Sequence, residues 1–201
     1  MKFFLATKNN HKIIEFSRML NSCGIELISE KDLDTPLEEV EENGADFAEN
    51  AFIKANAAMQ VVGVPSIADD SGLCVDYLDG APGIYSARFA GEPVDNDKNN
   101  EKLLSLLEGV PEEKRTAKFV SSIVCVFPDG RTVTAEGECA GYIATEKSGS
   151  NGFGYDPLFI SEIGCFGELT DAEKDSVSHR GNALKEFTKK ITEVMKEDKI
   201  C

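Results

Sequence analysis

The sequence predicts an α/β fold: a mixed central β-sheet flanked by helices. Three observations carry that expectation. Short apolar strand-like runs intermix with segments of helical period along the whole chain, no repeat or low-complexity linker separates them, and two β-rich runs are joined by a turn of Pro128, Asp129 and Gly130. With 201 residues, 41% of them hydrophobic and 28% charged, the chain can bury a sizeable core as one domain or two closely joined lobes. Residues 1–201 are read as a single domain.

The elements follow in order. Phe3 to Ala6 reads as a buried strand, and Lys12 to Asn21 as a helix with Ile13, Phe16 and Leu20 on one face, ended by Gly24. Glu26 to Ile28 is a short strand. Glu30 to Asn43 is acidic and irregular, with seven carboxylates, and suits a solvated loop. From Asp46 to Val62 apolar positions recur at helical spacing (Phe47, Ala51, Ala55, Ala58, Met59, Val62), and Gly63 with Pro65 ends the helix. Ser66 to Asp69 and Leu73 to Tyr77 read as two strand pieces, with Ser71 and Gly72 turning the chain between them. GAPG at 80–83 is turn-rich, Asn96 to Leu107 helical, and Phe119 to Phe127 with Thr132 to Ile143 form the hairpin. Thr170 and Glu173 have capping-box spacing, Ser178 suits an N-cap, and the last helix carries Leu184, Phe187, Ile191 and Val194 on one face.

Lys plus Arg is 21 and Asp plus Glu 36, a net charge of −15, which argues against a DNA or RNA polymer as partner. An acidic protein that binds phosphate must gather its lysines at one site or bridge carboxylates to phosphate through a divalent cation. The six cysteines (Cys23, Cys74, Cys125, Cys139, Cys165, Cys201) form no C-x-x-C pair, and with two histidines a zinc site is not expected. No signal peptide and no membrane-spanning stretch is legible, so the expected location is cytoplasmic, with no membrane partner.

Two segments carry chemistry. ATKNNHK at 6–12 runs from a strand into a helix, where unpartnered N–H groups and a partial positive charge favour an anion. Lys8 and Lys12 add full charge. The segment lacks the glycines of a P-loop, and it equally suits an ordinary turn with a capping Asn. In PSIADDSGLCVD at 65–76, an apolar strand delivers Asp69 and Asp70 to its carboxyl end, where open α/β sheets place ligands. Two adjacent carboxylates repel, which a hard cation such as Mg²⁺ relieves, although a polar turn closing a strand would look similar.

Taken together, TKNNHK (7–12), FAEN (47–50) with Lys54, IADDSG (67–72), GAPGIYSAR (80–88), GFGYDP (152–157) and SHR (178–180) resemble, in order and spacing, the inosine triphosphate pyrophosphatase family. These are enzymes of non-standard purine nucleoside triphosphates, and the resemblance runs from residue 5 to about residue 190. It implies an elongated, two-lobed single domain with the active site in the cleft, a homodimer, Mg²⁺, and hydrolysis of ITP, dITP or XTP to the monophosphate and pyrophosphate. By the same resemblance Thr7, Lys8, Asn9, Asn10, His11 and Lys12 form a triphosphate-binding loop and Lys54 contacts phosphate. Asp70 is then the catalytic base, with Ser71 touching substrate beside it. Glu41 or Glu42 joins Asp70 as a metal ligand, with Asp69 a further candidate. Phe153, Gly154, Tyr155 and Asp156 pack on and hydrogen-bond the purine, and Lys174, His179 and Arg180 read the base.

The residue types suit these roles. A 6-keto purine offers O6 and N7 as acceptors, which Arg or Lys can meet as donors, whereas the 6-amino group of adenine is a donor. A Phe stacking face is worth about 1–3 kcal/mol per base. Phe153 and Tyr155 could also be core residues, and His179 and Arg180 could simply begin a helix. Competing readings are a pyrophosphatase of the septum-associated Maf type, against which SHR and GFGYDP speak, and a sensor without chemistry, which would be expected to lack the acidic ligands. The parts of Arg88 and the GAPGIYSAR segment are not legible at this level.

Overall fold

The computed structural model describes residues 2–21, 24–38 and 40–197; Cys23, Glu39 and Cys201 lie outside the described residues. Among the described residues, seven strands and five helices follow as β1 (Lys2–Leu5), α1 (Asn10–Leu20), β2 (Glu26–Ile28), α2 (Phe47–Val62), β3 (Ser66–Val75), α3 (Asn96–Leu106), β4 (Thr116–Val126), β5 (Thr132–Ile143), β6 (Phe159–Ser161), β7 (Gly164–Cys165), α4 (Asp171–Val177) and α5 (His179–Glu197). The strands form one sheet in the order β2-β1-β3-β4-β5-β6-β7. It is mixed, as expected: β1 runs parallel to β2 and β3, while β6 is antiparallel to β5 and β7.

Strand β4 starts three residues earlier than read, β6 and β7 were not read at all, and two further differences bear on the site. Helix α1 begins at Asn10 because Asn9 caps it, its side chain accepting from the N–H groups of His11 and Lys12. Strand β3 does not break at Ser71 and Gly72 but continues to Val75. Gly72 is not among the residues with positive φ, and with β4 as its neighbour in the sheet β3 stays extended past the dipeptide that looked like a turn.

Tertiary contacts divide the chain into two compact units: Met1–Asp70 with Ser121–Gly137 and Asn182–Cys201, and Ser71–Val120 with Glu138–Gly181. In the first unit the strand residues sort between two clusters. Phe3, Leu5, Ile67, Ile123 and Cys125 pack with Phe16 and Leu20 of α1 and Leu184, Phe187 and Ile191 of α5. Ala68, Val124 and Val126 pack with Ala51, Ala55 and Met59 of α2. Successive strand residues face opposite sides, so α1 and α5 cover one face of this part of the sheet and α2 the other. Each fully buried Phe or Leu here contributes about 1.5–3 kcal/mol of burial.

The second unit is built on Leu73, Val75, Leu103, Leu107, Phe119, Ile143, Leu158, Phe159 and Phe166. The Phe119 ring lies 4.7 Å from that of Phe159, and Phe159 lies 4.9 Å from Phe166. Arg115 is buried in this unit with three backbone carbonyls around its guanidinium, those of Ile143 (2.7 Å), Leu107 (2.8 Å) and Ala144 (2.6 Å).

Candidate active site

The first unit gathers charge where β3 outruns β1. The last β1 pairing is Leu5 with Ile67, so Asp69 and Asp70 lie just beyond the carboxyl end of the parallel strand, although β3 itself continues. There, the pleat separates the two acids. Asp69 falls on the face of Ile67 and α1, and its carboxylate takes Lys12 Nζ at 2.7 Å and the Ser121 hydroxyl at 2.5 Å. Asp70 falls on the face of Ala68 and α2, and its Oδ1 takes Lys54 Nζ at 2.8 Å. The adjacent carboxylates therefore do not converge: an extended strand sends neighbours to opposite faces, and each meets its own lysine.

Both ammonium groups reach the Asp69 carbonyl oxygen, Lys12 at 3.3 Å and Lys54 at 3.2 Å. Lys54 also binds Glu42 Oε2 at 3.0 Å. Glu41 is exposed, whereas Glu42 reaches Lys54, so the two candidates separate, with Glu42 in the cluster. Two residues on, Gly44 ties the same loop to α2. Its N–H donates to Asn50 Oδ1 at 2.8 Å, and a Cβ on Gly44 would lie 2.8 Å from that oxygen and 2.9 Å from the Asn50 nitrogen. Asn50 stands one turn before Lys54 on α2, is fully buried, and extends its Nδ2 to Asp70 Oδ2 at 3.4 Å. The sequence reading left Asn50, Ser121 and Gly44 out of the site; the FAEN motif, four residues from Lys54 to its Asn, was the available signal for Asn50.

Burial pushes the Asp70 carboxyl above its usual range; Lys54 and Lys12 pull it back only in part, and Glu42 adds to the rise. Burial pulls Lys54 down, but Asp70 and Glu42 together outweigh it and hold the ammonium charged. The result is a carboxylate more basic than a surface aspartate beside a firmly charged lysine.

The 7–12 loop forms a compact capped turn. Asn9 N–H donates to Thr7 Oγ1 at 3.2 Å, and the His11 and Lys12 N–H groups to Asn9 Oδ1 at 2.9 and 3.3 Å. Those backbone donors are thus engaged within the loop, and Lys12 presents its side chain instead. Asn10 Oδ1 accepts from Lys31 at 2.8 Å, while Lys8, Asn10 and His11 are exposed.

In the second unit Asp156 is 2% exposed, and Lys174 Nζ lies 2.6 Å from its Oδ2. The same oxygen accepts from Phe153 N–H at 2.8 Å, and a Cβ on Gly152 would lie 2.0 Å from it. Gly152 and Gly154 have φ of 73° and 63°, the left-handed region open to glycine. The Phe153 ring is half-buried, with Lys174 Nζ 4.9 Å and Arg180 Cζ 5.8 Å from its centroid. Arg180 Nη2 donates to Ser71 Oγ at 2.8 Å. His179 is buried and stacks on Phe119 at 4.7 Å, and Tyr155 is a core residue whose hydroxyl donates to the Ser86 carbonyl at 2.8 Å. The caps read from sequence are in place: Thr170 accepts from Glu173 N–H and Ser178 from Gly181 N–H. Arg88 lies over the Tyr85 ring at 5.2 Å, and Ser86 of GAPGIYSAR accepts from Leu73 N–H at 2.9 Å.

Among the described residues no group of three or more His, Cys, Asp or Glu converges as a metal-binding cluster. The two carboxylates that do converge are Glu42 and Asp70, whose oxygens share the Lys54 ammonium. A hard-oxygen pair already turned toward one positive charge fits a Mg²⁺-type ion better than a soft metal.

Known proteins are similar to the chain over most of its length. The chain is 53% identical over 187 residues to a dITP/XTP pyrophosphatase of Desulforamulus reducens, covering 92% of both, and 50% identical over 194 residues to one of Haemophilus influenzae, covering 94% of this chain and 98% of that one. Among solved structures it resembles a HAM1 protein from Coxiella burnetii (TM-score 0.87, 35% identity, 96% and 99% covered) and the Staphylococcus aureus Ham1 protein (TM-score 0.84, 38% identity, 95% and 98% covered). The pattern of the Ham1 family matches residues 3–190, and the chain belongs to that family.

Proposed function

We propose that this protein hydrolyses 6-keto purine nucleoside triphosphates, the inosine, deoxyinosine and xanthosine forms, to the monophosphate and pyrophosphate. The observation that carries the reading is the charge cluster on β3: a buried carboxylate of raised basicity, Asp70, held by Lys54, with Lys12 two ångström-scale contacts away through the Asp69 carbonyl. Relatives at 53% and 50% identity named dITP/XTP pyrophosphatase support the substrate class.

We assign the polyphosphate to Lys8, Lys12 and Lys54, which balance its negative charge and that of departing pyrophosphate. Asp70 accepts the proton of the water that attacks the α-phosphorus; the new P–O bond forms as the bond to the pyrophosphate oxygen breaks. Glu42 and Asp70 would hold a Mg²⁺ ion, which when bound supplies charge neutralisation on the phosphate oxygens and orientation of the attacking water. Phe153 offers the base a stacking face, and Lys174 and Arg180 offer donors to its O6 and N7 edge. Exposed Tyr77, Tyr85 and Val94 support a homodimer through the 77–94 segment, and the enzyme would serve the cytoplasmic nucleotide pool.

The test is pyrophosphate release from inosine, xanthosine, adenosine and thymidine triphosphates, with and without Mg²⁺. Release confined to the 6-keto purines and dependent on Mg²⁺ is expected. Equal rates on adenosine triphosphate, or release only of orthophosphate, would refute the reading.

A further inference from the structure

The base loop 153–156 is tethered at successive residues, and one of the tethers comes from a helix outside the site described above. Phe153 N–H is held by the Asp156 carboxylate, and Tyr155 by the Ser86 carbonyl. Between them Gly154, in the left-handed region, turns its carbonyl out of any strand ladder, and that oxygen accepts from Asn100 Nδ2 of α3 at 2.9 Å. Asn100 is 2% exposed. Its own Oδ1 is buried with no hydrogen-bond partner among the described residues. Turning the amide over would face two oxygens, so the Gly154 carbonyl fixes which way it lies. The neighbouring Asn99 performs the matching task on the GAPGIYSAR segment, donating to the Ala87 carbonyl at 2.9 Å and accepting from Ala90 N–H at 2.7 Å. Ser86 then links that segment to Leu73 of β3, two residues past Ser71.

We propose that Asn100 is a positioning residue for purine recognition: it fixes the Gly154 carbonyl and thereby the pitch of the Phe153 ring. A leucine has the same side-chain branching and removes the unsatisfied Oδ1, but it also strips the Gly154 carbonyl of its donor, so the two effects on stability oppose each other. What leucine cannot do is donate to Gly154.

This inference rests on the assignment of the base to Phe153, and its test separates the two. Calorimetric binding of inosine monophosphate and of inorganic pyrophosphate is measured on the parent and on Asn100→Leu, together with thermal melting and the KM and kcat for deoxyinosine triphosphate. Expected for the variant are inosine monophosphate affinity weakened roughly three- to tenfold, the span of one net hydrogen bond, a KM raised by the same factor with kcat within about twofold, unchanged pyrophosphate affinity, and a Tm close to the parent's. Unchanged monophosphate affinity, or equal weakening of both ligands, overturns the proposal. If Asn100→Leu does not fold, Asn100→Asp, which keeps the volume but replaces the donor with an acceptor, decides by the same readouts. A parent that binds inosine monophosphate yet releases no pyrophosphate refutes the hydrolysis reading while leaving the Asn100 comparison to stand or fall by its own result.

Discussion

Replacing Lys174 by methionine is the sharpest test of how the base loop is held. The ammonium and the Asp156 carboxylate are 2.6 Å apart, with side chains 7% and 3% exposed, so water cannot take over when one partner is lost. Methionine keeps much of the stem packing but takes the ammonium away from the buried Asp156 carboxyl, with its Phe153 N–H bond still in place. Removing one member of such a pair costs about 3–5 kcal/mol, because the remaining charge stays desolvated. For a chain of 201 residues, each kcal/mol shifts Tm by about 2–4 °C, so a fall of roughly 6–20 °C is expected in a thermal melt followed by circular dichroism. Adding Asp156→Asn removes the stranded charge while keeping an acceptor for Phe153, and most of the loss should return. A single variant melting within about 2 °C of the parent, or a double variant no better than the single, would refute the claim that this ion pair braces the loop. The same single variant should lower the preference for inosine over adenosine triphosphate.

Three further outcomes are expected. Asp70→Asn should cut turnover by roughly 100- to 10,000-fold while leaving nucleotide affinity largely intact, as measured by steady-state kinetics and calorimetry; equal loss of both would make Asp70 a scaffold rather than a base. Gly44→Ala should move the acidic loop off Asn50, since its Cβ would meet that residue's backbone nitrogen at 2.9 Å, and lower kcat/KM at least roughly tenfold by carrying Glu42 away from Lys54; parent-like kinetics would show that Glu42 is not needed there. Burial raises the Tyr155 phenol above its ordinary 10.0 and the Cys139 thiol from 9.0 to about 11. Both acids hold their protons longer when folded, so their contribution is complete below the unfolded values and is lost as pH climbs through the folded ones. Melting temperature should therefore drop between pH 9 and 11, and less steeply in Tyr155→Phe; parallel curves would remove Tyr155 from the effect.

Much of this was legible in the residues themselves. Helix α2 and strands β2 and β5 declared their periods and their stops, and the Thr170 and Ser178 caps followed from side-chain type alone. Where the reading failed, the deciding partner was distant in sequence. Ser71 and Gly72 look like a turn until the neighbouring strand β4 keeps β3 extended. Glu41 and Glu42 are chemically identical neighbours in an irregular loop, and what separates them is the contact of Glu42 with Lys54. Asn100 and Arg115 bind backbone carbonyls, acceptors that every residue owns and that leave no trace in the one-letter code.

The division of Asp69 and Asp70 between two lysines has a consequence for how this strand can change. Charge is addressed by parity: 67 and 69 look toward α1, 68 and 70 toward α2. One inserted residue upstream in β3 would invert that assignment at a stroke, presenting each acid to the helix built for the other and every apolar neighbour to the wrong layer. An insertion of two would slide the acids along while preserving their sides, so length variation ahead of this motif is tolerable only in steps of two.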